Sequence, residues 1–159
     1  MVASRRATTK PDRLVKQLMG YNANPFSTPA TNWGIKHEDE ARDAYVAAQR
    51  QKGHVSLSVS PSGLNIMPTA SYLAASTDGK IYDPTTAPPT GVLEIKCPFS
   101  IDGKDITNLS PVEIALQHPG KFCLVAREGA VALSCSHKYY QQVQGEMAVC
   151  RRSWCDFVV

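Results

Sequence analysis

The sequence predicts a single α/β (α+β) domain built from helices and short β-strands. Two long segments, around residues 31–51 and 136–149, carry apolar residues at helical spacing. Short β-branched runs lie between and after them, separated by Gly, Pro, Asn and Asp as in strands joined by turns. A chain of 159 residues can bury one sizeable core. We therefore expect one domain, with a basic helix and loop over 1–30 and the main core over 31–159.

The N-terminal segment is basic and predicts a short helix. Thr9 is a suitable N-cap for a helix over 11–19, because Pro11 would occupy its first position. Positive charges concentrate here, at Arg5, Arg6, Lys10, Arg13 and Lys16. The net charge of the whole chain is only +3, which excludes a strongly basic nucleic-acid coat. The local cluster favours a phosphate backbone as partner, and a plain solvated face is the alternative.

The first core segment predicts an amphipathic helix with a carboxylate near its buried side. Thr31 or Asn32 is a suitable N-cap, and the helix should run to about Gln51, with Gly53 as a stop signal. Its apolar stripe consists of Trp33, Ala41, Ala44, Tyr45 and Ala48. Glu38 lies near this stripe and needs a partner there, for which a metal ion is one candidate.

The next segments predict strands that lead to an acidic turn. Residues 54–60 alternate as a strand, 61–63 form a turn, and 64–67 and 70–75 return towards Asp78. Gly79 permits a sharp change of backbone direction after this aspartate. The proline-rich run 81–90 is typical of a long hairpin tip. We expect this hairpin to bring Asp78 alongside Glu94.

The run Glu94-Ile95-Lys96 carries the strongest chemical signal in the chain. On an extended strand Glu94 and Lys96 point to one face, while Ile95 points into a core. With Asp78, two carboxylates and a backbone carbonyl would suffice for a hard cation such as Mg²⁺. Lys96 could orient or deprotonate the attacking water, or offset charge on a phosphate. Taken alone, the pattern is more typical of a solvated strand face.

The C-terminal half predicts two helices, a hairpin and a final strand. Ser110 and Glu113 form a capping box for a short helix to about Gln117. A hairpin follows over 122–126 and 131–135, and a core strand over 154–159. The helix over 136–149 is expected to be capped by Ser136. Gln142 lies beside its apolar row and points either to the site or to solvent.

Taken together, these segments resemble the lambda-exonuclease-like, YqaJ-type viral recombinase family of the PD-(D/E)XK nuclease superfamily. The resemblance implies a central mixed β-sheet flanked by helices, that is, a restriction-endonuclease-like nuclease core. The matching motifs follow one another in order over about residues 30–159: Trp33-Gly34 with Glu38 and Ala41, Ser76-Thr77-Asp78-Gly79, Glu94-Ile95-Lys96-Cys97-Pro98-Phe99, and Tyr140 with Gln142-Val143-Gln144.

The resemblance also implies roles for individual residues. Mg²⁺ or Mn²⁺ would be held by Asp78, Glu94 and the carbonyl of Ile95, with Glu38 completing the site. Lys96 matches the catalytic lysine, and Gln142 matches a polar helix residue near the reacting phosphate. The residues expected to contact DNA are Ser76, Arg5, Arg6, Lys10 and Tyr140. For Ser76, a turn-forming role is the simpler alternative.

The sequence departs from the family pattern at two points. Thr77 stands where proline is common before the aspartate. At the N-terminus, residues 4–10 match only loosely the family's arginine and Thr-Ala-Ser-like segment, which opens a helix and holds a 5′-phosphate. The chain also stops at its last predicted strand, where a relative would normally continue. A compact natural form and an excised domain both stay open.

The predicted function is that of a metal-dependent deoxyribonuclease, with 5′-to-3′ exonuclease action on linear duplex DNA in recombination or repair. The alternatives are an endonuclease or nickase that needs no end, and a non-catalytic DNA-end-binding module. The expected partners are duplex DNA ends and a single-strand annealing protein. The chain is expected to be a homo-oligomer, a trimer in the family, or a monomer.

The cysteines and the apolar runs bear on the compartment. The chain has five cysteines, without a Cys-x-x-Cys pair and without the spacing of a structural zinc site. No secretory signal or long apolar span stands in the sequence. We therefore expect an intracellular protein with reduced thiols and no membrane span.

Overall fold

The structure is a computed structural model that describes residues 28–101, 103–127 and 130–159. Its centre is a mixed sheet of four strands. In spatial order these are β1 (Ser58–Ser60), β4 (Gly79–Tyr82), β5 (Thr90–Ile95) and β10 (Cys155–Val158). The first three run antiparallel to their neighbours, whereas β10 is parallel to β5. The predicted central mixed sheet is therefore confirmed.

Three two-stranded ribbons surround the sheet in the described part of the chain. The predicted strand over 54–60 is shorter than expected, because the backbone turns between His54 and Leu57. The predicted hairpin over 122–135 is present, although its residues 128 and 129 lie outside the described residues. The ribbons pair β2 (Leu64–Ile66) with β3 (Ala74–Ser76), β6 (Ser100–Ile101) with β7 (Lys104–Asp105), and β8 (Leu124–Arg127) with β9 (Ala130–Leu133).

Three helices are described, and their caps differ from the predictions at two ends. Helix α1 (Pro29–Gln51) begins earlier than predicted, because Thr28 accepts a hydrogen bond from the backbone of Thr31 at 3.1 Å. Helix α2 (Pro111–Gln117) has the predicted capping box. Helix α3 (Lys138–Cys150) is capped by His137, not Ser136.

The apolar stripe predicted for α1 is only partly buried. Tyr45 packs against the sheet, but Ala44 and Ala48 are exposed, so their prediction as core residues is wrong. Tyr45 reaches the core because its ring is long, and its hydroxyl donates to Asp156 on β10 at 2.5 Å. Side-chain length is not the reason for the exposure of the two alanines, since Ala41 of the same helix packs against this core. The core beneath α1 is formed by Tyr45, Leu57, Ile81, Leu93 and Ile95.

A second core lies between α2 and the β8–β9 ribbon. It is formed by Ile106, Ile114, Ala115, Phe122, Cys123 and Leu124. Phe157 of the central sheet packs against its edge, so the two cores meet across the sheet. Burial of these side chains is the main favourable contribution to folding.

Several predictions can be compared with the remaining features of the structure. The five cysteines are free, as expected, and Cys135 is exposed. Among the described helices, none has the length and apolar character needed to cross a bilayer. The predicted helix over 11–19 lies outside the described residues, as do Arg5, Arg6 and Lys10.

Two sets of contacts lie near the tip of the β4–β5 hairpin. At Gly91, an added Cβ would lie 2.4 Å from the Trp154 ring. At the hairpin tip, buried Asp83 accepts hydrogen bonds from Thr85 at 2.7 and 2.9 Å and from His54 at 2.6 Å. The bonds from Thr85, more than the one from His54, hold the pKa of Asp83 below its usual value in spite of its burial.

We expect Gly91→Ala to lower the free energy of unfolding by about 1–3 kcal/mol, because overpacking forces Trp154 to move. Gly145→Ala is the matched control, since a Cβ there meets nothing within 4 Å. On helix α3 it should raise that free energy by roughly 0.5–1 kcal/mol. Urea denaturation of both variants measures the difference. Equal stability of the two would contradict the packing at Gly91.

We expect Asp83→Asn to lower the melting temperature at pH 7. A carboxyl whose pKa is lower in the folded state stabilises the fold at any pH above its pKa in the unfolded chain, which is about 3.9. This contribution is lost as the pH falls through the pKa of the folded state. The difference from wild type should therefore shrink below about pH 4. Thermal melts from pH 3 to 7 test this, with Asp43→Asn on an exposed part of α1 as the charge control. A gap that stays constant with pH would contradict the prediction.

Candidate active site

Asp78 is fixed at the open end of the β4–β5 hairpin. Its backbone N–H donates to the carbonyl of Leu93 at 3.0 Å, and its Oδ2 accepts from the backbone N–H of Ile95 at 2.7 Å. The expected sharp turn at Gly79 is wrong, because this glycine lies within β4 and has no positive φ. It is needed for space, since a Cβ there would lie 2.7 Å from Val59. Asp78 consequently stands beside the end of β5.

Glu94 and Lys96 point to the same side of the extended chain, as predicted from their spacing. Glu94 is only 1% exposed, although it is charged in its ordinary state. Its Oε1 accepts from Lys96 Nζ and from Gln142 Nε2, the latter at 2.7 Å. Its Oε2 is buried and has no hydrogen-bond partner. The structure thus brings together the strand motif and the glutamine of α3.

The electrostatics of this pair follow from its burial. Burial raises the pKa of Glu94 to about 7, helped by the charges of Asp78 and Glu146 and opposed by Lys96. Burial alone would lower the pKa of Lys96, but its hydrogen bond to Glu94 and the nearby carboxylates outweigh it and raise that pKa. Lys96 therefore keeps its positive charge.

Glu38 is connected to this site through Arg42. Its carboxylate accepts from Arg42 at 2.8 Å, and the same guanidinium nitrogen donates to the carbonyl oxygen of Asp78 at 3.3 Å. Another nitrogen of Arg42 pairs with Asp39 at 2.5 Å. This role of Arg42 was not predicted from the sequence, because its partner Asp78 is distant in the chain. Glu38 as a metal ligand stays a prediction.

A cleft of about 480 Å³ opens beside these residues. Asp78, Lys96 and Glu38 are among its lining residues, whereas Glu94 and Gln142 are not. Ser76 and Tyr140, which were expected to contact DNA, also lie outside the lining. The lining further includes Lys121, Phe122, His137, Lys138 and Tyr139.

Tyr139 lies between two lysines at the cleft and was not singled out from the sequence. Lys96 Nζ is 5.1 Å and Lys138 Nζ is 5.4 Å from the centre of its ring. Such ammonium groups over a ring are favourable cation–π contacts. The lining therefore combines positive charge with an aromatic surface, a combination that suits a nucleotide.

Two carboxylates of this site, Asp78 and Glu94, are candidates for holding a divalent cation. In the described ranges, no three His, Cys, Asp or Glu side chains converge on one point. A cation would therefore depend on Asp78, Glu94 and backbone or water oxygens. The buried, unpartnered Oε2 of Glu94 favours this arrangement, because such an oxygen otherwise remains unsatisfied. Oxygen donors of this kind suit Mg²⁺ or Mn²⁺.

The chain is similar to known proteins in both sequence and fold. A family model described as the YqaJ-like viral recombinase domain matches residues 4–153. The fold is similar to that of the alkaline exonuclease LHK-Exo from Laribacter hongkongensis, with a TM-score of 0.55 and 23% identity over 96% of this chain and 61% of that one. For LHK-Exo in complex with dAMP the TM-score is 0.56 and the identity 24%, over 95% of this chain and 62% of that one.

The solved exonuclease chains are longer than this chain. The chain spans less than two thirds of the solved exonuclease chains that it resembles. No curated protein matches it. At these identities the likeness of the structures establishes the fold.

We expect Mn²⁺ to bind the isolated protein. Asp78→Asn should weaken this binding about tenfold or more, because loss of even a supporting residue of a metal site lowers metal affinity by roughly that factor. The asparagine can still accept from Ile95, so the hairpin should persist. Isothermal titration calorimetry without DNA measures the affinity, with Asp43→Asn as the control. Equal Mn²⁺ affinity in both variants would rule out Asp78 as a ligand.

Proposed function

Because the chain belongs to the family of YqaJ-like viral recombinase domains, we propose that it is a metal-dependent nuclease that hydrolyses phosphodiester bonds of DNA. The observation that carries the proposal is the meeting of Asp78 with Glu94 and Lys96 at the end of one hairpin, beside an open cleft. The more specific proposal is a 5′-to-3′ exonuclease that acts on linear duplex DNA in recombination or repair.

Asp78 and Glu94 would hold the cation, together with the carbonyl of Ile95. When bound, Mg²⁺ or Mn²⁺ supplies a Lewis acid for the phosphate and lowers the pKa of a bound water. Asp78 uses Oδ2 to accept from the backbone of Ile95, so its other oxygen is directed away from that bond. Glu94 uses Oε1 for its two donors, so Oε2 is the oxygen left for a cation.

Lys96 would act directly on the reacting phosphate. Hydrolysis forms a bond between a water oxygen and phosphorus and breaks the bond from phosphorus to the leaving deoxyribose oxygen. Negative charge increases on the phosphoryl and leaving oxygens as this happens. Lys96 lines the cleft and acts as a donor towards Glu94, so its ammonium group is placed to offset that charge. Glu38 would support the metal shell through its link to Arg42 and Asp78.

Lys138 and Tyr139 of the cleft lining would bind the nucleotide next to the scissile phosphodiester bond. Lys138 supplies charge for a backbone phosphate, and Tyr139 supplies a ring for stacking. The related LHK-Exo was solved in complex with dAMP, and we propose that a deoxynucleotide occupies the corresponding cleft here. Ser76 and Tyr140 would contact the strand farther out. Arg5, Arg6 and Lys10 remain predictions for the 5′-phosphate.

The alternatives differ in whether they need a DNA end. An endonuclease or nickase is favoured by the loose match at residues 4–10, where the family holds a 5′-phosphate. A non-catalytic end-binding module would keep the fold without cleavage. The annealing partner, the trimer and the intracellular location remain predictions from the sequence.

We expect Mn²⁺ or Mg²⁺ to support digestion of 5′-phosphorylated linear duplex DNA, and closed circular DNA to stay intact. Lys96→Ala should reduce the rate by about 100-fold or more, because one charge-stabilising donor is lost. Gel analysis of linear and circular substrates, with and without chelator, measures both effects. Lys80→Ala, which removes an exposed lysine of β4, is the matched control and should retain activity.

The same experiment separates the alternatives. Cleavage of the circle would replace the exonuclease with an endonuclease or nickase. Retained end binding without any cleavage would support the binding module. Equal activity of Lys96→Ala and Lys80→Ala would contradict the role of Lys96.

A further inference from the structure

A second buried carboxylate, Glu146, lies directly behind the proposed metal ligands. It is one turn after Gln142 on α3 and is only 6% exposed. Its Oε1 accepts from Gln142 Nε2 at 2.8 Å, and the same nitrogen donates to Glu94 Oε1 at 2.7 Å. One side-chain amide therefore joins two buried carboxylates on different elements.

This arrangement fixes the orientation of the Gln142 amide. An ionised carboxylate only accepts hydrogen bonds, so with both acids ionised the amide turns its NH₂ group towards both of them. Its two hydrogens are then used, one for Glu94 and one for Glu146. The carbonyl oxygen of Gln142 points the other way, because the amide is planar. Without Glu146, the bond to Glu94 would be the one hydrogen bond that these two acids give the amide in this orientation.

The orientation of Gln142 in turn determines which oxygen of Glu94 is free. Lys96 and Gln142 both donate to Oε1, and Oε2 is buried without a partner. We propose that Glu146 is a positioning residue of the nuclease site, which fixes the Gln142 amide and through it holds the Glu94 carboxylate with Oε2 free for the cation. This inference rests on the proposed function and adds a residue to it.

A purely structural glutamate is a poor explanation of this position. Glu146 Oε2 is buried and has no hydrogen-bond partner, which costs free energy that an apolar side chain would avoid. A side chain this unfavourable for stability is expected where it supports function.

The test uses a double-mutant cycle in the full chain. Glu146→Gln preserves size but can also donate to the Gln142 carbonyl oxygen, so the amide is no longer held in one orientation. We expect kcat on linear DNA to fall about 10- to 100-fold with KM for DNA unchanged, as for supporting residues in other metal sites. Gln142→Ala should have a similar effect, and the double variant should be no slower than Gln142→Ala. Gln141→Ala, on the exposed side of α3, is the control.

Two measurements that do not depend on nuclease activity complete the test. In protein labelled with ¹⁵N-glutamine, the Gln142 amide signal is identified by its loss in Gln142→Ala. It should shift in Glu146→Gln but not in Gln141→Ala. Calorimetry without DNA should show Mn²⁺ affinity reduced about tenfold or more in Glu146→Gln.

The outcomes distinguish the inference from the function on which it rests. If wild type cleaves DNA and Glu146→Gln matches it in kcat, in Mn²⁺ affinity and in the Gln142 signal, Glu146 is not a positioning residue. Multiplied losses in the double variant would also overturn the inference, because Glu146 would then act independently of Gln142. A wild type that never cleaves would overturn the proposed function, and the amide signal and Mn²⁺ affinity would still decide the role of Glu146.

Discussion

Asp78 is held against β5 by two hydrogen bonds, and the candidate site depends on this attachment. One bond comes from its backbone to Leu93, and the other joins its side chain to the backbone of Ile95. A slip of one residue between β4 and β5 would turn Glu94 and Lys96 to the opposite face. Gly79 permits the close approach of β1 to β4, since a Cβ there would lie 2.7 Å from Val59 on β1.

The site concentrates groups that weaken a protein core. Glu94, Glu146 and Lys96 are wholly or largely buried beside the sheet, and two of their oxygens have no partner within the described residues. Such groups stabilise poorly compared with apolar side chains, because burial removes them from water. Their desolvation would also strengthen the proposed action on a cation or phosphate. Stability is supplied elsewhere, by the two apolar cores.

Each flanking helix contributes to the site from a different direction. Helix α1 brings Arg42, whose guanidinium joins Glu38 to the carbonyl of Asp78. Helix α3 brings Gln142 and Glu146 to the far side of Glu94. Because the helices are held by separate cores, the strand residues are supported on both sides.

Features of the site that depend on residues close together in the chain could be predicted from the sequence. Strand alternation places Glu94 beside Lys96, and a local hairpin returns Asp78 to them. Tertiary structure alone decided the contacts of Arg42 with Asp78, 36 residues apart, and of Gln142 with Glu94, 48 residues apart. It also decided which positions of α1 are buried. These depend on how helices approach the sheet, and the local pattern of residues does not specify that distance or angle.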